Sequence, residues 1–123
     1  MADVTVALTA QSRDTRSADL VGAGAAVTAG QTFEISTNSA SGRDILVFLE
    51  ETNTGAATVT FDAGDNPPAI RSGLGTLAIS LAQADLRLVV LEAGRFYQST
   101  GNITGTVATN TVKIYAVRLP RNY

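Results

Sequence analysis

Apolar and polar residues alternate with a period of two through most of this chain, the signature of half-buried strands. The run FEIST, Phe33 to Thr37, alternates, and a loop of small residues, Asn38-Ser39-Ala40-Ser41-Gly42, follows it. DILVFLEET, Asp44 to Thr52, is different: Ile45, Val47 and Leu49 share one face, yet Leu46 and Phe48 on the other are also apolar. Such a strand is either central or has its outer face against a partner. Asn53-Thr54-Gly55 then makes a turn into TVTF, with Val59 and Phe61 inward and Thr58 and Thr60 outward. Residues 44 to 62 therefore read as a β-hairpin.

Proline next interrupts the pattern. Asn66 precedes a proline and is pushed toward extended geometry, and neither Pro67 nor Pro68 can donate to a sheet ladder, so residues 63 to 75 are a loop or an edge. TLAISL follows with Leu77, Ile79 and Leu81 on one face. Gln83-Ala84-Asp85 turns and Leu86 to Leu91 forms another strand. A helix competes here, because Leu77, Leu81, Ala84, Leu88 and Leu91 make an apolar stripe at helical spacing. The alternation of TLAISL and the β-branched Val89-Val90 favour two strands. After Glu92-Ala93-Gly94 come RFYQS, with Phe96 and Tyr97 on opposite faces, then ITGTV and a closing VKIYAVRL. Strand starts recur at about 8 to 12 residues, the spacing of an all-β sandwich or barrel. The expected fold is all-β: a single β-sandwich or barrel-like domain of about 7 to 9 short strands.

The N-terminal part has its own character. ADVTVAL reads as a short strand with Val4, Val6 and Leu8 on one face, but Thr9 to Gly30 is nearly all small residues. Such a segment buries little surface to offset its ordering entropy. It is either a loose tail or an extended arm ordered against a neighbour. The expected organisation is an N-terminal strand and small-residue arm over 1–30 and a β-sandwich domain over 31–123.

Composition narrows the functional classes. A chain of 123 residues is one domain and long enough to bury well over half of its unfolded surface. With 45% hydrophobic and 16% charged residues, its surface is either covered by small polar side chains or partly hidden by a partner. A net charge of −2, with arginines scattered singly and no aromatic stripe, gives no drive toward nucleic acid or an acidic membrane. The N-terminal stretch lacks the basic and apolar regions of a secretory signal, and no apolar run is long enough to span a bilayer.

Candidate chemistry is sparse. There is no Cys and no His, which removes disulfides, thiolate sites, the commonest general base and the commonest metal ligand together. Lys113, the single lysine, reads as a solvent-facing strand residue. Glu50 and Glu51 are adjacent on a strand, point to opposite faces, and so cannot converge as a catalytic pair. Asp62 and Asp65 fall short of the oxygen ligands a calcium ion needs. Gly22-Ala23-Gly24 and Gly73-Leu74-Gly75 do not continue into a phosphate loop. The expectation is a binding or structural module without cofactor or metal, not an enzyme.

One family pattern then stands out. Gly64-Asp65-Asn66-Pro67-Pro68, Gly73-Leu74-Gly75, Leu91-Glu92-Ala93-Gly94-Arg95-Phe96, Gly101 and Arg118-Leu119-Pro120 resemble, in order and over roughly residues 44 to 120, the head decoration (capsid-stabilising) proteins of tailed bacteriophages. The resemblance implies a virion protein on the capsid exterior, made in the host cytoplasm. It would bind the major capsid protein, often as a homotrimer, and brace the shell against the packed DNA. The expected partner contacts are Arg13, Arg16, Asp65, Asn66, Pro67, Pro68, Ile70 and Arg71, with no nucleic acid and no membrane involved. Two other readings stay open. One is a tail or head–tail joining protein of the same particle. The other is a carbohydrate-binding β-sandwich, which the absence of Trp disfavours because only Tyr97, Tyr115 and Tyr123 could offer sugar platforms.

Overall fold

The computed structural model describes residues 3–10, 16, 24–36, 45–52, 55–64, 75–91, 96–98 and 102–118. Its named elements are nine strands: β1 (Val4–Ala10), β2 (Ala25–Val27), β3 (Thr32–Ser36), β4 (Ile45–Glu51), β5 (Ala57–Phe61), β6 (Leu77–Leu81), β7 (Leu86–Leu91), β8 (Ile103–Ala108) and β9 (Val112–Arg118). The protein is all-β and barrel-like, as the alternation predicts. The helical stripe over 77–91 is not realised. β6 and β7 are separate strands, and Leu81 and Leu91 reach the core from them.

The strands form one curled sheet in the order β6-β5-β8-β3-β1-β9-β4-β7, with β2 added on β9. β1 is the seam that joins its two halves. Val4 to Ala7 run parallel to Phe33–Ser36 of β3, whereas Leu8 to Ala10 run parallel to Ala116–Arg118 of β9. A strand that changes partners midway carries the sheet from one layer to the other, leaving β6 and β7 as its two ends. The start of β1 is pinned by a reciprocal pair: Asp3 N–H donates to Thr32 Oγ1 at 3.0 Å and Thr32 N–H to Asp3 Oδ2 at 3.0 Å.

The hairpin expected over 44–62 is not formed. β4 pairs with β7 and β9, and β5 pairs with β6 and β8, so the turn after β4 carries the chain from one layer to the other. The same holds for the turn between β6 and β7, which pair with β5 and β4 respectively. Turn chemistry marks where a strand ends, but a turn can join two strands across the core as well as side by side. Here the buried faces decide. β4 and β5 each bury every second residue completely, so both inward rows gain more by meeting across the barrel than by lying adjacent.

The core is filled from both layers. Phe33, Ile35, Val59, Phe61, Leu81 and Ile103 come from one side, and Ile45, Val47, Leu49, Leu91, Val112 and Ile114 from the other. Each such side chain contributes about 1.5–3 kcal/mol when fully buried. At the centre Phe61 meets Phe33 edge-on, with ring centroids 5.6 Å apart, and Phe96 at 6.3 Å.

The small-residue segment contributes β2 to this sheet, antiparallel to β9, and its Val27 is fully buried. Its composition has a packing cause at Gly24. A Cβ there would lie 2.8 Å from Ile114 N and 2.9 Å from Ile114 C and O, closer than side chains approach a backbone. Beyond β2, Gly30 N–H donates to Val107 O at 2.8 Å and Gln31 O accepts from Val107 N–H at 3.2 Å, tying the turn before β3 onto β8.

Candidate interaction surface

Of the residues expected to contact a partner, Arg16 is exposed on the surface. Arg13, Asp65, Asn66, Pro67, Pro68, Ile70 and Arg71 lie outside the described residues. Among the described residues no three His, Cys, Asp or Glu side chains group so as to hold a metal ion, and no helix is long and apolar enough to cross a membrane. Glu50 and Glu51 do part company. Glu51 is buried, while Glu50 sits half-buried on the opposite face.

The outer face of β7, β4 and β9 is the most distinctive surface of the molecule. Directly opposed residues share a face, and the register sets out three rows across these strands. Val90 stands opposite Leu46 and Leu46 opposite Val117; Leu88 opposite Phe48 and Phe48 opposite Tyr115; Leu86 opposite Glu50 and Glu50 opposite Lys113. Two rows are thus apolar apart from one phenol, and the third ends in two opposite charges. Leu86, Leu88 and Val90 are 46%, 54% and 57% exposed, and they are the exposed large hydrophobic side chains of the described residues. All three belong to β7, and β7 pairs with nothing but β4 among the described residues.

The two-sided apolarity of Ile45 to Leu49 fits a central strand or an outer face against a partner, and β4 does lie centrally, between β7 and β9. LRLVVL carries the same signal, with Leu86, Leu88 and Val90 on one parity and Val89 and Leu91 on the other. What the residues alone did not disclose is that β7 lies beside β4, because that pairing crosses 35 residues of intervening chain, from Glu51 to Asp85, only through the fold.

A compact clamp fixes the start of β7. The buried Glu51 carboxylate accepts the Ala84 N–H at 2.9 Å, and Glu51 N–H donates to Asp85 O at 2.8 Å. Asp85 Oδ2 in turn accepts from Ala82 N–H at 2.9 Å and from the Arg87 guanidinium at 3.2 Å. The Ala82 N–H first, and then Arg87, hold the Asp85 carboxyl below its ordinary 3.8, against the partial desolvation and the neighbouring Glu51 charge. A carboxyl depressed in the folded state stabilises above its unfolded pKa, and that contribution is lost as pH falls through the lower folded value. Urea melts between pH 5 and pH 2 should therefore show a stability loss that Asp85→Asn reduces. Identical pH profiles for the two proteins would remove Asp85 from the acid response.

Comparison with family models, with curated proteins and with solved structures finds no match. The likeness to phage head proteins accordingly stands on the residues quoted for it.

Proposed function

We propose that this chain is a non-enzymatic virion structural protein that binds the outer surface of a tailed-phage head, on its major capsid protein, and stabilises the shell. The observation that carries this reading is the ordered run of motifs from Gly64-Asp65-Asn66-Pro67-Pro68 to Arg118-Leu119-Pro120. One feature of the molecule supports it: the body is all-β and barrel-like, as the resemblance implies. Self-association belongs to the same reading, the resemblance implying a trimer on the capsid exterior.

The test is addition of purified protein to heads that lack it, with occupancy counted by electron microscopy and shell rupture followed on heating. Hundreds of copies per head and a raised rupture temperature are expected. A dozen copies or fewer in a ring would make it a tail or head–tail joining protein, and no binding would overturn the proposal. The proline segment gives a sharper form of the same test. Pro67→Gly with Pro68→Gly frees a stiff dipeptide, and is expected to lower head occupancy at least about tenfold while shifting thermal unfolding by only a few degrees. Unchanged occupancy would reduce that segment to a connection.

A further inference from the structure

We propose that two copies of this chain pair through the edge of β7, antiparallel about a two-fold axis at Leu88, and continue the sheet from one subunit into the other. The inference concerns the protein alone in solution and does not rest on capsid binding.

The first argument is the character of the edge. An end strand of a sheet is a template for another strand, and proteins blunt such edges with Lys, Pro, bulges or charges, inward-pointing ones included. β7 carries none of these on its outer face, where Leu86, Leu88 and Val90 are about half exposed. Its one charge, Arg87, lies on the other face of the strand and is held by its own Asp85 at 3.2 Å. A surface built this way is covered in its working state.

The second argument identifies the occupant. A head-to-tail contact needs two different complementary patches, whereas an isologous contact needs one patch that complements itself. Among the described residues the exposed large hydrophobics all lie on β7, so a self-complementary contact sets them against one another. β7 does complement itself. In an antiparallel pair centred on Leu88, Leu88 faces Leu88 of the second copy and Leu86 faces its Val90, all on the outer face. On the inner face Arg87 faces Val89, so no like charges stand directly opposite. The neighbouring Glu50 and Lys113 oppose each other within one subunit, leaving the face without net charge. With a whole-chain net charge of −2, two copies repel each other little.

Edge pairing of one six-residue strand is a small contact beside the roughly 800 Å² per partner of a stable complex, so a weak dimer is expected, to be sought between about 10 μM and 1 mM. Sedimentation over that concentration range is expected to give a monomer–dimer equilibrium. Leu88→Arg places two guanidinium groups face to face at the axis and should raise the dissociation constant at least about tenfold. Its thermal unfolding should stay near that of the wild type, because Leu88 is exposed. The absence of native cysteine allows a direct geometric check. Opposed Cα atoms in an antiparallel pair stand about 4.5–5.5 Å apart, within disulfide reach. Leu88→Cys oxidised with diamide is therefore expected to form a covalent dimer, and Ser80→Cys, exposed on the opposite end strand β6, is not. A wild type that stays monomeric at 1 mM, a trimer by mass, a Leu88→Arg variant that associates normally, or equal cross-linking at positions 80 and 88 would each overturn the pairing.

Discussion

Gly105→Ala is expected to lower stability by about 3 kcal/mol, the upper end for overpacking a core, and to drop the unfolding temperature by roughly 10 °C. Gly105 lies in β8 between two aromatic strands. In register it stands opposite Phe33 on β3 and opposite Phe61 on β5. The Phe33 ring closes over it and meets Phe61 edge-on, with centroids 5.6 Å apart. A Cβ at 105 would lie 2.4 Å from Thr60 O, 2.6 Å from Phe33 Cζ and 2.9 Å from Phe33 Cε1. The ring can swing at the expense of its contact with Phe61, but the carbonyl of Thr60 belongs to the β5–β8 ladder and moves only with the strand. Shrinking the ring should consequently rescue only part of the loss. In a double-mutant cycle, Phe33→Leu and Gly105→Ala are expected to be less than additive by about 1 kcal/mol, with the variant still well below Phe33→Leu alone. The exposed neighbour Thr106, changed to Ala, serves as the control and should cost under about 0.5 kcal/mol. Denaturant melts decide the matter: a Gly105→Ala midpoint indistinguishable from wild type would mean that β8 has room the geometry denies it.

That glycine also shows what a sequence of this kind reveals and what it withholds. ITGTV was legible as a strand because Ile103, Gly105 and Val107 alternate with Thr104 and Thr106, and all three are indeed buried. The reason for glycine at its centre was not legible, since Phe33 and Phe61 come from strands far away in the chain. Fold class follows from local alternation and so was readable throughout. Pairing follows from which buried rows face each other across the core, and local alternation is silent about that. Hence Asn53-Thr54-Gly55 looked like the tip of a hairpin although β4 and β5 never pair. For the candidate surface the division is similar. The apolar outer parity of Ile45–Leu49 was evident in the residues, and its extension through Leu86, Leu88 and Val90 required β7 to be placed next to β4. The small-residue stretch was ambiguous for another reason. Gly24 is small because β2 lies close against Ile114, and that close approach is a property of β9 rather than of the stretch itself.

Loss of the Glu51 carboxylate should be nearly as damaging as crowding Gly105, and more local in its effect. Glu51→Ala is expected to cost about 1.5–3 kcal/mol, the range for hydrogen bonds to a charged group. The carboxylate is buried at the inner end of β4 and takes the Ala84 N–H at 2.9 Å. Ala84 needs that support. Its φ of 64° lies in the left-handed region, which costs an alanine roughly 1–2 kcal/mol, and it is maintained because the surrounding bonds leave the turn no other shape. Glu51→Gln keeps an acceptor oxygen in place and should cost less than half as much. Ala84→Gly relieves the backbone strain, and part of that gain is offset by the larger freedom of glycine in the unfolded chain, so a net rise of about 0.5–1 kcal/mol is expected. Hydrogen exchange locates the damage. In Glu51→Ala the amides of residues 82–91 should lose protection while those of β3 and β8 keep theirs, because the clamp joins the turn to β4 and touches neither of those strands. Since the same turn presents β7 at the end of the sheet, Glu51→Ala should also weaken the pairing of two copies without altering one atom of the apolar row. A Glu51→Ala protein with wild-type melting and unchanged protection over 82–91 would show that the turn holds itself, and that Glu51 is buried for some other cause.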